Sequence, residues 1–154
     1  MIRDILISRK KVDLVAPYHL SFASLNQLET CIVQIVCDPS IRKTAETVPL
    51  PGYSWETADS IYSWLQECAD RFIGQNLSDL REFSLENFSR RPFATSALLA
   101  AGDLFEKKWK APKTIRVPLT AALDPESLET LLYSAESAIQ NAYTHLKLKI
   151  GRNP

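Results

Sequence analysis

What this sequence has little of sets its first limits. It holds four glycines in 154 residues, and none of them builds a phosphate-cradling P-loop or a dinucleotide fingerprint. Neither charge sign is in excess: Lys plus Arg and Asp plus Glu each number 18. With no net charge there is no long-range field drawing the chain to nucleic acid or to an anionic membrane. Nor is any basic run interleaved with aromatics as a nucleic-acid surface would be. Cysteines are few, odd in number and far apart (Cys31, Cys37 and Cys68). They lack CxxC spacing and sit among apolar residues, so reduced, buried thiols are expected rather than a disulfide frame or a metal site. The two histidines, His19 and His145, have no Ser-His-Asp framework around them. No apolar run is long enough to span a bilayer. Residues 1–11 alternate apolar and charged side chains without the apolar core of a signal peptide. The expectation is a cytoplasmic protein with no nucleic-acid and no membrane partner.

Apolar residues make up 45% of the chain and charged residues 23%, the balance of a soluble globular protein. The length suits one ordinary domain, or a small domain plus part of another. Residues 2–15 are rich in Ile, Leu and Val and predict a strand, bent or bulged at Arg9-Lys10-Lys11. Residues 17–24 predict a loop carrying aromatics. The β-branched stretch 30–36 predicts a second strand, Asp38-Pro39-Ser40 a turn, and residues 43–48 a short third strand. Three strands joined by short links imply an antiparallel meander. Pro49-Leu50-Pro51-Gly52-Tyr53-Ser54 cannot continue a ladder, because two prolines lack donors and Gly52 permits a tight turn.

Helices come next. Ser54 is placed to cap the first, with Glu56 and Asp59 in or near its first turn. Ile61, Trp64, Leu65, Cys68 and Phe72 recur at helical spacing up to Gly74. Residues 77–83 and 85–88 read as two short helical pieces. A longer helix starts at Pro92 and carries small residues, from Ala94 to Gly102, that allow close packing. Strands first and helices after make a small α+β unit. The pattern then changes: a strand-like stretch 114–123, a helix 126–141 started by Asp124 and Pro125, and a strand 144–150. The apolar face expected for this helix is Leu128, Leu131, Leu132, Ala135 and Ile139. Strand, helix, strand is a βαβ unit with parallel strands, which cannot close a core alone.

The last strand carries the chemistry worth weighing. In Leu146-Lys147-Leu148-Lys149-Ile150-Gly151 the apolar residues alternate with two lysines, so a strand puts both ammonium groups on one face. One reading is a half-buried edge strand whose lysines stay in water and discourage aggregation. The other turns both lysines into a barrel interior, where like charges crowded in a poorly solvated site lower one pKa and leave an amine able to take a proton. His145 lies on the same side of the strand as the lysines.

These parts together resemble the enolase superfamily, and within it the mandelate racemase/muconate lactonizing branch. Pro17 to Ser24 is similar to the first loop of that family's capping domain. Glu46-Thr47-Val48-Pro49-Leu50-Pro51-Gly52-Tyr53-Ser54-Trp55-Glu56-Thr57 is similar to the second loop, in a form especially like the o-succinylbenzoate synthases. Ser96-Ala97-Leu98-Leu99-Ala100-Ala101-Gly102-Asp103-Leu104 resembles the Ala-rich helix that ends the domain, and residues 146–151 its KxK strand. One departure stands out: the family's GxGE pattern before the loop glutamate is here Ile41-Arg42-Lys43-Thr44-Ala45-Glu46.

The resemblance implies an α+β fold: a capping domain over residues 1–111, with an antiparallel three-stranded sheet followed by helices. The first β-α-β of a (β/α) barrel, incomplete, would occupy residues 112–154. It implies proton abstraction α to a carboxylate on a small substrate, with a magnesium ion stabilising the ene-diolate, and in the synthases a dehydration in menaquinone biosynthesis. Lys149 matches the acid/base lysine and Lys147 the neighbour that tunes it. Leu20, Phe22, Leu50 and Tyr53 are the expected substrate contacts. Since the family's magnesium carboxylates and its second acid/base lysine lie on later strands, the metal ligands are expected to be absent here and the chain inactive alone. A dipeptide epimerase or a muconate cycloisomerase would share these features. A non-catalytic capping or binding module is a further alternative. An unfinished barrel also implies self-association, or a complementing chain that supplies the rest.

Overall fold

The computed structural model describes the chain except for residues 21–22, 51, 107–113, 115, 124–126 and 149–154. The described residues fall into two compact units. One comprises Met1–Tyr18 and Leu25–Lys108, the other His19–Ser24 and Trp109–Pro154.

In the first unit, strands β1 (Asp4–His19), β2 (Ser24–Asp38) and β3 (Ile41–Thr47) form an antiparallel sheet in the order β1-β2-β3. The register pairs Cys31 with Thr47 and Val33 with Ala45, with an irregularity between Val36 and Asp38 just before the turn. Alternation along β2 sends Cys31, Val33 and Ile35 to the core. Asp38 holds the β2–β3 turn by accepting from the backbone N–H and hydroxyl of Ser40, and these bonds keep its pKa below the usual carboxylate range.

The strand β1 runs four residues beyond the expected end, through Pro17 to His19. A proline is tolerated there because β1 is an edge strand and its outward side needs no donor. Residues 41–46, where the family has its glycines, are regular strand rather than a turn.

Three helices share one core with the sheet. Ile61, Leu65, Cys68, Ala69 and Phe72 of α1 (Ala58–Phe72) share one buried face. Its cap is Thr57, not Ser54: Thr57 Oγ1 accepts from the Ser60 N–H, and Ser60 Oγ accepts from the Thr57 N–H. Gly74, at φ +83°, ends the helix as expected. The two short pieces expected next are one helix, α2 (Leu77–Asn87), because Ser84 bonds back to the Leu80 carbonyl at 2.7 Å without breaking it. In α3 (Pro92–Glu106) the small residues Ala94, Ala97 and Ala101 are fully buried beside Leu98, which lets this helix pack closely on β3. Phe83 of α2 stacks on Trp64, centroids 5.7 Å apart, and tilts against Phe72.

The three thiols enter this core as expected. Cys31 donates to the Ala58 carbonyl at 3.4 Å. Burial raises all three thiol pKa values, and for Cys68 pushes it to about 12.

The second unit contains β4 (Thr120–Leu123), α4 (Leu128–Gln140) and β5 (His145–Leu148). Strands β4 and β5 are parallel neighbours, with Ala122 opposite Lys147, so the unit is the strand-helix-strand expected. Ser127 caps α4 through a reciprocal pair with Thr130. The Asp124-Pro125 start lies outside the described residues. The apolar face of α4 is narrower than its sequence suggested. Leu131 and Ala135 are partly covered and Ala138 is buried, while Leu128, Leu132 and Ile139 remain 70%, 55% and 63% exposed. A sheet of two strands offers too narrow a strip to cover the whole face.

Two outcomes test this packing. In the native chain at pH 8, an alkylating reagent should leave Cys31 and Cys68 unmodified until denaturant is added, read by mass spectrometry of the intact protein. Raising the pH from about 9 toward 12 should lower thermal stability, because unfolding frees a thiol whose folded pKa is raised and lets it ionise. Cys68→Ala should flatten that slope; a slope identical to wild type would count against the burial described.

Candidate functional site

The second loop, residues 48–57, leaves β3 and returns to α1 through a tight turn. Tyr53 N–H donates to the Leu50 carbonyl at 3.1 Å, and Gly52, at φ +87°, supplies the left-handed residue that turn needs. Leu50 is half-buried, while Tyr53 is 64% exposed and presents its ring to solvent. The two expected substrate contacts of this loop therefore sit in one turn.

The base of the loop is held by groups whose roles the sequence alone does not assign. Glu56 is 1% exposed, and it belongs to the start of α3 rather than of α1. Its Oε2 accepts from the Phe93 N–H at 2.7 Å and its Oε1 from the Ala94 N–H at 3.4 Å. A carboxylate buried against the first free N–H groups of a helix satisfies those donors and meets the positive end of the helix dipole. Its own N–H donates to Ser54 Oγ at 2.9 Å, which is the role Ser54 has in place of capping. Trp55 adds a further tie, its Nε1–H donating to the Arg90 carbonyl at 3.2 Å.

A second fixture lies across the sheet. Arg9 on β1 donates from Nη1 to Asp59 Oδ1 at 2.6 Å, and from Nε and Nη2 to Glu29 Oε1. Its guanidinium also lies over the Tyr62 ring, 5.6 Å from the centroid. The bonds to Asp59 and Glu29 raise the Arg9 pKa above its ordinary value. Arg9 thus joins β1, β2 and the first turn of α1, where the sequence suggested only a bulge.

Of the first loop, His19–Ser24 belongs to the second unit. Leu20 is 6% exposed and its N–H donates to the Ala23 carbonyl at 2.7 Å. His19 Nδ1 and Ser24 Oγ lie 2.8 Å apart, closing the ends of the loop. Phe22 lies outside the described residues. In the same unit Lys147 is exposed on β5, its strand paired on the β4 side, and His145 Nδ1 is 3.0 Å from Thr144 Oγ1. Lys149, the expected acid/base residue, lies outside the described residues. Among the described residues, no group of three or more His, Cys, Asp or Glu side chains is placed to hold a metal ion. No described helix is long and apolar enough to cross a membrane.

No family model matches the sequence. A curated relative, the o-succinylbenzoate synthase of Listeria innocua serovar 6a, is 27% identical over 158 residues, covering 93% of this chain and 42% of that protein. Among solved structures, the N-succinyl Arg/Lys racemase from Bacillus cereus matches with a TM-score of 0.84 at 24% identity, over 99% of this chain and 45% of the other. A dipeptide epimerase from Enterococcus faecalis, complexed with Mg and the dipeptide L-Leu-L-Tyr, matches with a TM-score of 0.80 at 16% identity, over 97% and 46%. The muconate lactonizing enzyme from Pseudomonas fluorescens matches with a TM-score of 0.73 at 21% identity, over 99% and 46%. The chain spans less than half the length of each of these proteins. The chain has a fold like that of the N-terminal part of enolase-superfamily enzymes of the mandelate racemase/muconate lactonizing branch, and its sequence is similar to that of an o-succinylbenzoate synthase over nearly its whole length.

Proposed function

We propose that this chain supplies the capping unit and the first catalytic strand of a lyase like o-succinylbenzoate synthase. Such an enzyme removes a proton α to a carboxylate and then eliminates water, here in menaquinone biosynthesis and in the cytoplasm. The observation that carries the reading is the 27% identity running through 93% of the chain, with Lys147 standing on a strand parallel to its neighbour. Lys149 is the residue assigned to take the proton and Lys147 the neighbour that lowers its pKa by like-charge crowding. Leu20, Phe22, Leu50 and Tyr53 shape the cap over a small carboxylate substrate. Magnesium would belong to the complete enzyme, held by carboxylates of later barrel strands that this chain does not supply. A second reading, a dipeptide epimerase or a muconate cycloisomerase, draws support from the fold likeness to solved enzymes of those kinds. All three share proton abstraction, and they differ in the fate of the substrate once its proton is gone.

Two experiments test this. Incubated with Mg²⁺ and a hydroxylated cyclohexadiene carboxylate in D₂O, the chain alone should show neither dehydration nor α-deuterium incorporation by NMR. Fused ahead of the remaining barrel strands of a related synthase, it should restore dehydration. Lys149→Ala in that fusion should then cost about 10²–10⁴-fold in kcat, the usual contribution of a positioned general base. Turnover by the isolated chain, or an unaffected Lys149→Ala fusion, would overturn the assignment.

The bare apolar side of α4 and the exposed Leu146 and Leu148 of β5 support self-association, or pairing with a complementing chain, as the partner role. Light scattering should give a mass that rises with concentration, and Leu132→Glu with Ile139→Glu should shift it toward the monomer. A monomer at every concentration would end this reading.

A further inference from the structure

A cleft of about 450 Å³ opens wholly within the first unit, between the outer half of β2, the second loop and the first turn of α1. Its volume is in the range of small-molecule sites, about 300–1,000 Å³. It exists because β3 pairs only with residues 31–38 of β2, leaving the earlier part of that strand to face the loop. Its walls are fixed. Glu56 fastens the loop's base to α3, and Arg9 fastens β1 and β2 to α1. A site held this way needs little ordering when it binds.

Its lining is of three kinds. Leu25, Leu28 and Pro49 give an apolar wall, Lys11 a cation, and Glu29 with Asp59 two carboxylates. Arg9 uses Oε1 of Glu29 and Oδ1 of Asp59. Among the described residues, Glu29 Oε2, Asp59 Oδ2 and the Lys11 ammonium make no hydrogen bond or ion pair. One cleft therefore presents an open cation, two open anionic oxygens and an apolar surface. We propose that it binds a small zwitterion: a primary ammonium that donates to Glu29 and Asp59, a carboxylate that accepts from Lys11, and a short apolar body against the leucines. Free aliphatic α-amino acids are the simplest members of that class. The proposal uses residues of the first unit alone and does not rest on proton abstraction at Lys149.

Titration of the intact chain with L-isoleucine, monitored through backbone amide shifts, should give saturable changes at Leu25, Glu29 and Asp59. The same body with one charge removed, as 3-methylpentanoate or 2-methylbutylamine, should bind at least about tenfold more weakly, the usual effect of deleting a charge-assisted hydrogen bond. Lys11→Met and Glu29→Gln should each weaken L-isoleucine by about tenfold or more. Lys10→Met, next in sequence but absent from the lining, should leave its affinity unchanged. Because Lys11 is exposed, circular dichroism of Lys11→Met should match wild type. No saturable shift with the folded wild-type chain, equal binding of either singly charged analogue, or an undiminished Lys11→Met would each overturn the proposal. None of these results depends on whether the chain takes part in turnover.

Discussion

A single buried carboxylate organises the front of this molecule. Glu56 carries a formal charge into a site almost closed to water, where an unpaired charge would be prohibitive. It is tolerated because the first backbone N–H groups of α3 are there to receive it. The dependence runs both ways. Without the carboxylate, α3 would begin with unmet donors inside the core, and the loop that carries Leu50 and Tyr53 would lose its fixed end. The placement of that loop is thus a consequence of helix-end chemistry some forty residues further along the chain.

Much of this fold is legible in residues close together in sequence. The β-branched run in β2, the helical spacing of Ile61, Leu65, Cys68 and Phe72, and the small-residue face of α3 each announce themselves within one element. So does the alternation of β5 and its parallel partner. Cooperation at a distance is what stays hidden. Nothing near Glu56 says that its oxygens will meet Phe93 and Ala94, and capping is usually local, so the sequence points it to the nearest helix. Arg9 is hidden for the same reason: a basic run on an edge strand looks solvated until Glu29 and Asp59 are brought beside it. Thr57 displaces Ser54 as a cap because the local signal, a hydroxyl ahead of an acidic turn, fits either residue. The pair Lys147 and Lys149 remains legible only as a sequence pattern and a resemblance.

The two units differ in how far they satisfy themselves. The first has a continuous core from Ile2 to Ala101, drawn from sheet and helices alike, with its thiols and aromatics filling the spaces between. The second buries only Leu20, Leu123 and Ala138 among its described hydrophobics, and most of the apolar surface of α4 is uncovered. A parallel strand pair with one helix is the start of a repeating design, in which each strand is completed by its next neighbour.

Glu56 and Thr57 are adjacent, yet they start different helices: the first caps α3 and the second caps α1. One peptide bond therefore sets the phase of both. Adding or removing a residue between Ser54 and Thr57 would rotate one cap away from its helix whichever helix kept the other. Length variation in this loop is thus confined to the stretch before Ser54, where the turn at Gly52 can grow or shrink without disturbing either helix. Within one short connection, the part facing solvent is free to diversify and the part facing the core is not.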